Sequence, residues 1–425
     1  MPVKSLNQSA PIMTGLINGL GLAYLFFAFH VFCRSGIGAM AGTLSYAFSL
    51  DATSIGMISS AYYVACVACE IPFGYLLDAW GPKKTLRISM ILCVLGLALF
   101  FTASSFGGMM AGRILLGMSG ASVFLASMSL SMLWLPRNLS GVASGMVTAI
   151  GKVGGGMLAS FLLPVLIQKY TWTHIGLSLC VIGTLVLIAS FRYLSDGPSD
   201  TFDAKKASFR RFASSSLKAF KCPIVWAMGV YGYAMYLVLS VFGETYAIDF
   251  LMQSSDISRQ QAGFLSSLAF LGSASGSVIM SYASDRLHIR KTLLCIGAFG
   301  ALCFSGVVFF IPHIPYSYLV ASIFLFGFFS GTGILVFVTA IEASGTCTPG
   351  TLMGAVNSLV MSSGMVHNAI CGFIIDCIRR YWPTYATGVM EYRISFSTIT
   401  LMLVIALIIA LSFSEKPRAF LSKQR

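Results

Sequence analysis

Apolar runs long enough to cross a bilayer recur twelve times along the chain, separated mostly by short polar turns. They fall at roughly 13–42, 53–79, 85–105, 107–135, 139–168 and 174–194, then at roughly 223–252, 258–284, 292–311, 316–345, 354–378 and 391–413. A hydrocarbon core about 30 Å thick needs about 20 apolar helical residues, and longer runs tilt or bend to fit. Each run therefore reads as a membrane-spanning helix. One long polar stretch, Ser195 to Cys222, interrupts the series at its middle. It divides the chain into an N-terminal six-helix bundle (1–194), a linker (195–222) and a C-terminal six-helix bundle with a short tail (223–425). The expected class is an all-α membrane protein of twelve transmembrane helices in two bundles.

Composition agrees. Of 425 residues, 57% are hydrophobic and 10% charged, and the mean hydropathy is +0.84. A soluble domain carries about 25% charged residues, so most of this surface is expected to meet the lipid bilayer. The 11 cysteines lie mainly inside apolar runs. The one C-x-x-C, Cys66 and Cys69, sits mid-helix among Ala and Val and reads as packing rather than a redox or metal site. No nucleophile–base pair, metal-ligand cluster or phosphate-cradling loop stands out. The expectation is a non-enzyme with no cofactor and no metal.

Basic residues set the orientation. With both termini on one side, that side collects Lys4, Lys83, Lys84, Arg87, Arg137, seven residues from Arg192 to Lys221, Arg286, Arg290, Lys291 and four in the tail. The other side holds Lys169, Arg259, Arg379, Arg380 and Arg393. Positive charge favours the cytoplasmic face, so both termini and the linker are expected there. A net charge of +13 spread over loops on one face does not form a nucleic-acid patch.

The two halves repeat. Ser54 to Ser60 (S-I-G-M-I-S-S) matches Gln261 to Ser267 (Q-A-G-F-L-S-S) without a gap. Gly56 with Gly263, Asp78 with Asp285 and Lys84 with Lys291 are each 207 residues apart. Duplicated bundles suit alternating access, with a ligand held between them near the midplane.

The repeat ends in a recognisable loop. Gly74-Tyr-Leu-Leu-Asp78-Ala-Trp-Gly81-Pro82-Lys83-Lys84 resembles the loop between helices two and three of the major facilitator superfamily. Ser281 to Lys291, with Asp285, Arg286 and Arg290, resembles its degenerate second copy. The aspartates can cap a helix end or pair with a base, while the lysines stay interfacial. Such loops would latch one side closed. Arg113-x-x-x-Gly117-x-x-Gly120-Ala121 is similar to another motif of that superfamily. The resemblance links Arg113 to proton coupling; an interfacial arginine is the plain alternative.

Ionisable residues inside spans are expensive and mark function or pairing. Lys152, in Gly151-Lys152-Val153-Gly154-Gly155-Gly156, lies about 20 Å into the fifth run. Its ammonium is expected to meet an anionic substrate or a carboxylate partner. Arg34, in the outer half of the first run, suits a carboxylate or phosphate. Glu244 can serve as an amine partner, a proton site or a mate for Arg34. Glu70, eight residues before Asp78, is expected to support the latch or carry a proton. His367 and Asn368 fall opposite the Lys152 region when Gly151 is aligned with Gly364. Arg34, Lys152, Glu244, His367 and Asn368 are thus the candidate substrate contacts, and Glu70, Arg113 and Glu244 the candidate proton sites.

The expected activity is secondary active transport in the bacterial inner membrane, with proton-coupled uptake of a small organic anion or amino acid by a monomer. Bacterial metabolite facilitators, including phagosomal nutrient transporters, are the general likeness. The Gly151-to-Gly155 run also resembles the nitrate-transporter signature, with Lys152 in place of Asn. Drug efflux is a further alternative, but no proline lies between Arg137 and Leu163 to complete the exporters' Gly-Pro pattern. A non-transporting membrane sensor is the reading from a different class.

Overall fold

The computed structural model describes residues 6–134, 146–196, 214, 217–287, 289–344, 349–384 and 388–413, and these are helical almost throughout. Helix α1 runs Leu6–Ser35, bends by 41° and continues as Ile37–Phe48. The next helical stretch, Ala52–Thr102, has 51 residues. At 1.5 Å per residue it would reach about 76 Å, more than twice the hydrocarbon thickness. It folds back at Gly81, whose φ of 80° and ψ of 167° are left to glycine by the absence of a Cβ. Pro82 follows, with its φ already set for a first helical turn. The stretch is thus two spans, α2 (52–80) and α3 (82–102).

The remaining spans are α4 (Phe106–Trp134), α5 (Met146–Lys169), α6 (Trp172–Tyr193), α7 (Pro223–Ser255), α8 (Arg259–Leu287), α9 (Arg290–Phe310), α10 (Tyr316–Ala343), α11 (Pro349–Tyr381) and α12 (Met390–Ser412). Twelve spans result among the described residues, as the hydropathy pattern predicts. The linker expected over 195–222 lies largely outside the described residues. The Gly81 turn lies at one end of the molecule, the loop end.

Helices α1–α6 pack together, as do α7–α12, and the halves meet along α2 against α11, α5 against α8, and α1 against α7. Within a half, small residues bring backbones together. A Cβ at Gly276 of α8 would strike the Phe328 carbonyl of α10, and one at Gly327 would strike the Ala269 carbonyl. Such contacts replace the hydrophobic drive that lipid cannot supply. Leu177, Val181, Leu185 and Ile188 of α6 stay exposed, an apolar face of the kind that meets lipid.

Candidate functional site

A cavity of about 150 Å³ lies where the two halves meet, with room for roughly five waters at about 30 Å³ each. Its polar wall includes Arg34, Tyr62, Glu70, Lys152, Tyr236 and Asn357, and its apolar wall includes Phe27, Phe124, Phe270 and Phe337. A largely apolar pocket with a few convergent polar groups is the usual form of a small-molecule site.

Lys152 enters from a distorted helix. Residues Ile150–Met157 of α5 form a π-helical segment, and the three glycines Gly154–Gly156 that follow the lysine make that turn easy to distort. Such distortions concentrate at functional sites. The ammonium donates to Ser277 Oγ at 2.7 Å, Ser273 Oγ at 2.9 Å and the Ser273 carbonyl at 3.3 Å, all on α8. It makes no ion pair with a described carboxylate. Its charge is solvated by neutral oxygens, with no counterion among the described residues.

Glu70 stands opposite. Ser277 is its repeat counterpart at the 207-residue offset, so the ammonium sits at the place in the second half that mirrors the Glu70 carboxylate. Glu70 Oε1 accepts from Asn357 Nδ2 at 2.6 Å, and Oε2 accepts from the Ser358 hydroxyl. Both donors belong to α11, so the carboxylate clasps the two halves together toward the loop end.

Toward the opposite end, Arg34 Nη2 meets Glu244 Oε1 at 2.6 Å. Ser35 Oγ donates to the same oxygen at 3.1 Å, and the Tyr63 hydroxyl donates to Oε2 at 2.5 Å. Glu244 lies in a second π-helical segment, Val238–Tyr246 of α7. Ile37, where α1 resumes after its bend, is the repeat counterpart of Glu244 at the same 207-residue offset. The two halves are therefore distorted at equivalent places, and the ion pair joins those places. Arg113 is buried behind it, donating to the Ile58 and Arg34 carbonyls at 3.3 Å each, with its guanidinium 5.2 Å from the Tyr62 ring centre. It satisfies a carbonyl at the α1 bend and does not line the cavity.

Asp376 is a contact that sequence reading overlooked. It accepts from the Thr53 amide and hydroxyl at 2.6 Å each and from the Ala52 amide at 3.2 Å. A carboxylate of α11 thus caps the first turn of α2 across the interface, while Asp51 caps Ser54 at 2.8 Å. One signal was present: Asp376 sits near the C-terminal end of its own helix, where the dipole disfavours a negative charge, and it is better placed at another helix's N-terminus. Losing a cap costs about 1 kcal/mol, roughly a fivefold shift in an opening equilibrium. Asp376→Asn is accordingly expected to speed hydrogen exchange at the amides of residues 52–55 about fivefold; unchanged exchange there would count against Asp376 as a stabilising cap of α2.

The other candidates lie elsewhere. His367 Nδ1 pairs with the Tyr233 hydroxyl at 2.5 Å, and Asn368 donates to the Ser240 and Gly364 carbonyls at 3.1 and 2.9 Å. Neither lines the cavity; Asn368 satisfies a carbonyl of the distorted α7 segment. Toward the loop end, Gly74 is buried about two helical turns before Gly81, Asp78 is exposed and forms no ion pair among the described residues, and the cap on the Lys83 amide comes from Asp196 at 2.7 Å. Lys84 is exposed beside it. In the second copy, Arg290 bridges Asp285 at 3.6 Å and Glu342 at 2.8 Å, Arg286 rests on Tyr282, and Lys291 follows in the first turn of α9. These ion pairs stay within one half.

Two six-span halves enclosing a charged central cavity define a membrane transporter. The chain belongs to the Major Facilitator Superfamily, whose profile matches residues 23–368. It is 21% identical over 384 residues to a probable sulfoacetate transporter of Cupriavidus necator, covering 84% of this chain and 86% of that one. It is 20% identical over 360 residues to a hexuronate transporter of Bacillus subtilis, covering 81% and 84%. A solved D-xylose-proton symporter superposes with a TM-score of 0.71 at 12% identity, covering 93% and 97%. These relatives are transporters rather than enzymes, and this chain is a multi-pass membrane transporter of the same kind.

Proposed function

We propose that the protein takes up a small organic anion across the bacterial inner membrane by alternating access, coupled to protons, working as a monomer with both termini cytoplasmic. One observation carries the choice of cargo. Lys152 presents a positive charge to the interbundle cavity with neutral serine oxygens as its described partners. A buried unpaired charge is costly, and an anionic substrate supplies the missing counterion. The sulfoacetate and hexuronate transporters named above carry cargo of this type, which supports the same reading.

The amino-acid alternative fares less well. A zwitterion needs an open carboxylate for its ammonium, and both oxygens of Glu70 already accept hydrogen bonds from α11. Glu70 serves better as the proton site, since protonation there would loosen the clasp between the halves. The test is thermal stabilisation of the purified protein by a hexuronate, sulfoacetate, an amino acid and a lipophilic cation, followed by uptake into liposomes under an imposed proton gradient. Stabilisation by the organic anions and gradient-dependent uptake are expected. A lipophilic cation as the sole stabilising compound would sink the anion reading, and uptake indifferent to the gradient would sink the coupling.

A further inference from the structure

Three donors of the N-terminal half, the Arg34 guanidinium, the Ser35 hydroxyl and the Tyr63 hydroxyl, converge on one carboxylate that belongs to the other half. Arg34 also lines the cavity, and its buried Nε–H has no acceptor among the described residues. Arg113 adds a second positive charge directly behind, bonded to the Arg34 carbonyl and in no ion pair among the described residues. Two cations and two hydroxyls against one carboxylate is the make-up of an anion site, with Glu244 as its occupant.

We propose that Arg34, Ser35 and Tyr63 form an anion-binding subsite of the N-terminal half, that Glu244 fills it as a built-in carboxylate in this conformation, and that the transported anion takes its place when the halves part at this end. The donors come from α1 and α2 and the acceptor from α7, so separation strips all three donors of their partner in one step. A guanidinium left unpaired in a largely apolar cavity is unfavourable, and a cargo carboxylate or sulfonate supplies equivalent oxygens. Opening is then linked to cargo binding because the two carboxylates compete for the same donors. On re-closure, Glu244 reclaims the site and drives the cargo toward Lys152. The part given to the cargo rests on the anion reading above; the subsite itself does not.

Chemical rescue tests the subsite without knowledge of the cargo. Purified full-length Glu244→Ala protein is melted in sodium acetate and, at equal ionic strength, in sodium chloride. Acetate is expected to raise the melting temperature by about 2–4 °C over chloride by filling the vacated position. The native protein and an Arg34→Gln/Glu244→Ala double variant are expected to show no such difference. If Glu244→Ala does not fold, the titration is made on Glu244→Gln, whose weaker amide acceptor acetate should displace, with a smaller rise. No acetate-specific rise in the variant tested, or an equal rise in native protein, overturns the proposal. Rescue without organic-anion uptake by the native protein would leave the subsite standing and remove the cargo reading; uptake without rescue would do the reverse.

Discussion

Lys152→Gln is expected to reduce uptake of the transported anion about 100-fold while melting no lower than the native protein. The fall follows from the contact itself. A hydrogen bond to a charged group contributes about 1.5–3 kcal/mol, and each 1.4 kcal/mol is tenfold in affinity. The unchanged or raised melting temperature follows from the environment. Lys152 rests on three neutral oxygens of Ser273 and Ser277, so its removal deletes a desolvated charge and not an ion pair. Glutamine keeps an amide donor for the serines. Loss of transport without loss of stability separates cargo binding from packing. Lys152→Arg is expected to rescue only in part, because a planar fork does not match two hydroxyls set for an ammonium. Uptake by Lys152→Gln within threefold of native would remove the lysine from the site.

For Glu70→Gln the expected result is a different split: accumulation driven by a proton gradient falls at least tenfold, while exchange of internal for external substrate persists. The carboxylate accepts from Asn357 and Ser358 through its two oxygens. Glutamine offers one oxygen and turns an NH2 toward a donor, forfeiting at least one charge-assisted bond of about 1.5–3 kcal/mol. The clasp loosens and no longer responds to a proton. Exchange needs reorientation of the loaded carrier but not proton release and return of the empty one, and the cavity keeps its shape with an isosteric side chain. Counterflow and gradient-driven uptake measured on the same liposomes distinguish the cases. Gradient-driven accumulation at the native level in Glu70→Gln would assign the proton to another group.

The candidate site was legible in part, and the division follows from what a linear pattern encodes. Depth in the membrane is readable, because rise per residue is constant. Azimuth is not, because each residue turns about 100° around the helix and nearby bends or π-helical turns shift the register. His367 shows the difference. The repeat alignment places it at the level of the Lys152 region, yet its ring is engaged by Tyr233 and does not line the cavity. Asn368, one residue on, supports the distorted α7 segment. Asp376 was missed because its partners, Ala52 and Thr53, lie more than 320 residues away.

By itself the sequence determined the number of spans, the loop containing Gly81 between the second and third, the 207-residue repeat and the identity of the few charges placed in apolar runs. These are local properties: hydropathy over about 20 residues, backbone preference at a single glycine, and residue type against lipid. The tertiary structure alone decided which of those charges meet. It brings Arg34 to Glu244 across 210 residues and sets the Lys152 ammonium on Ser277, 125 residues away, at the place that mirrors Glu70. Packing faces between the halves select these partners, since burial leaves each charge unfavourable until a group from the other half satisfies it.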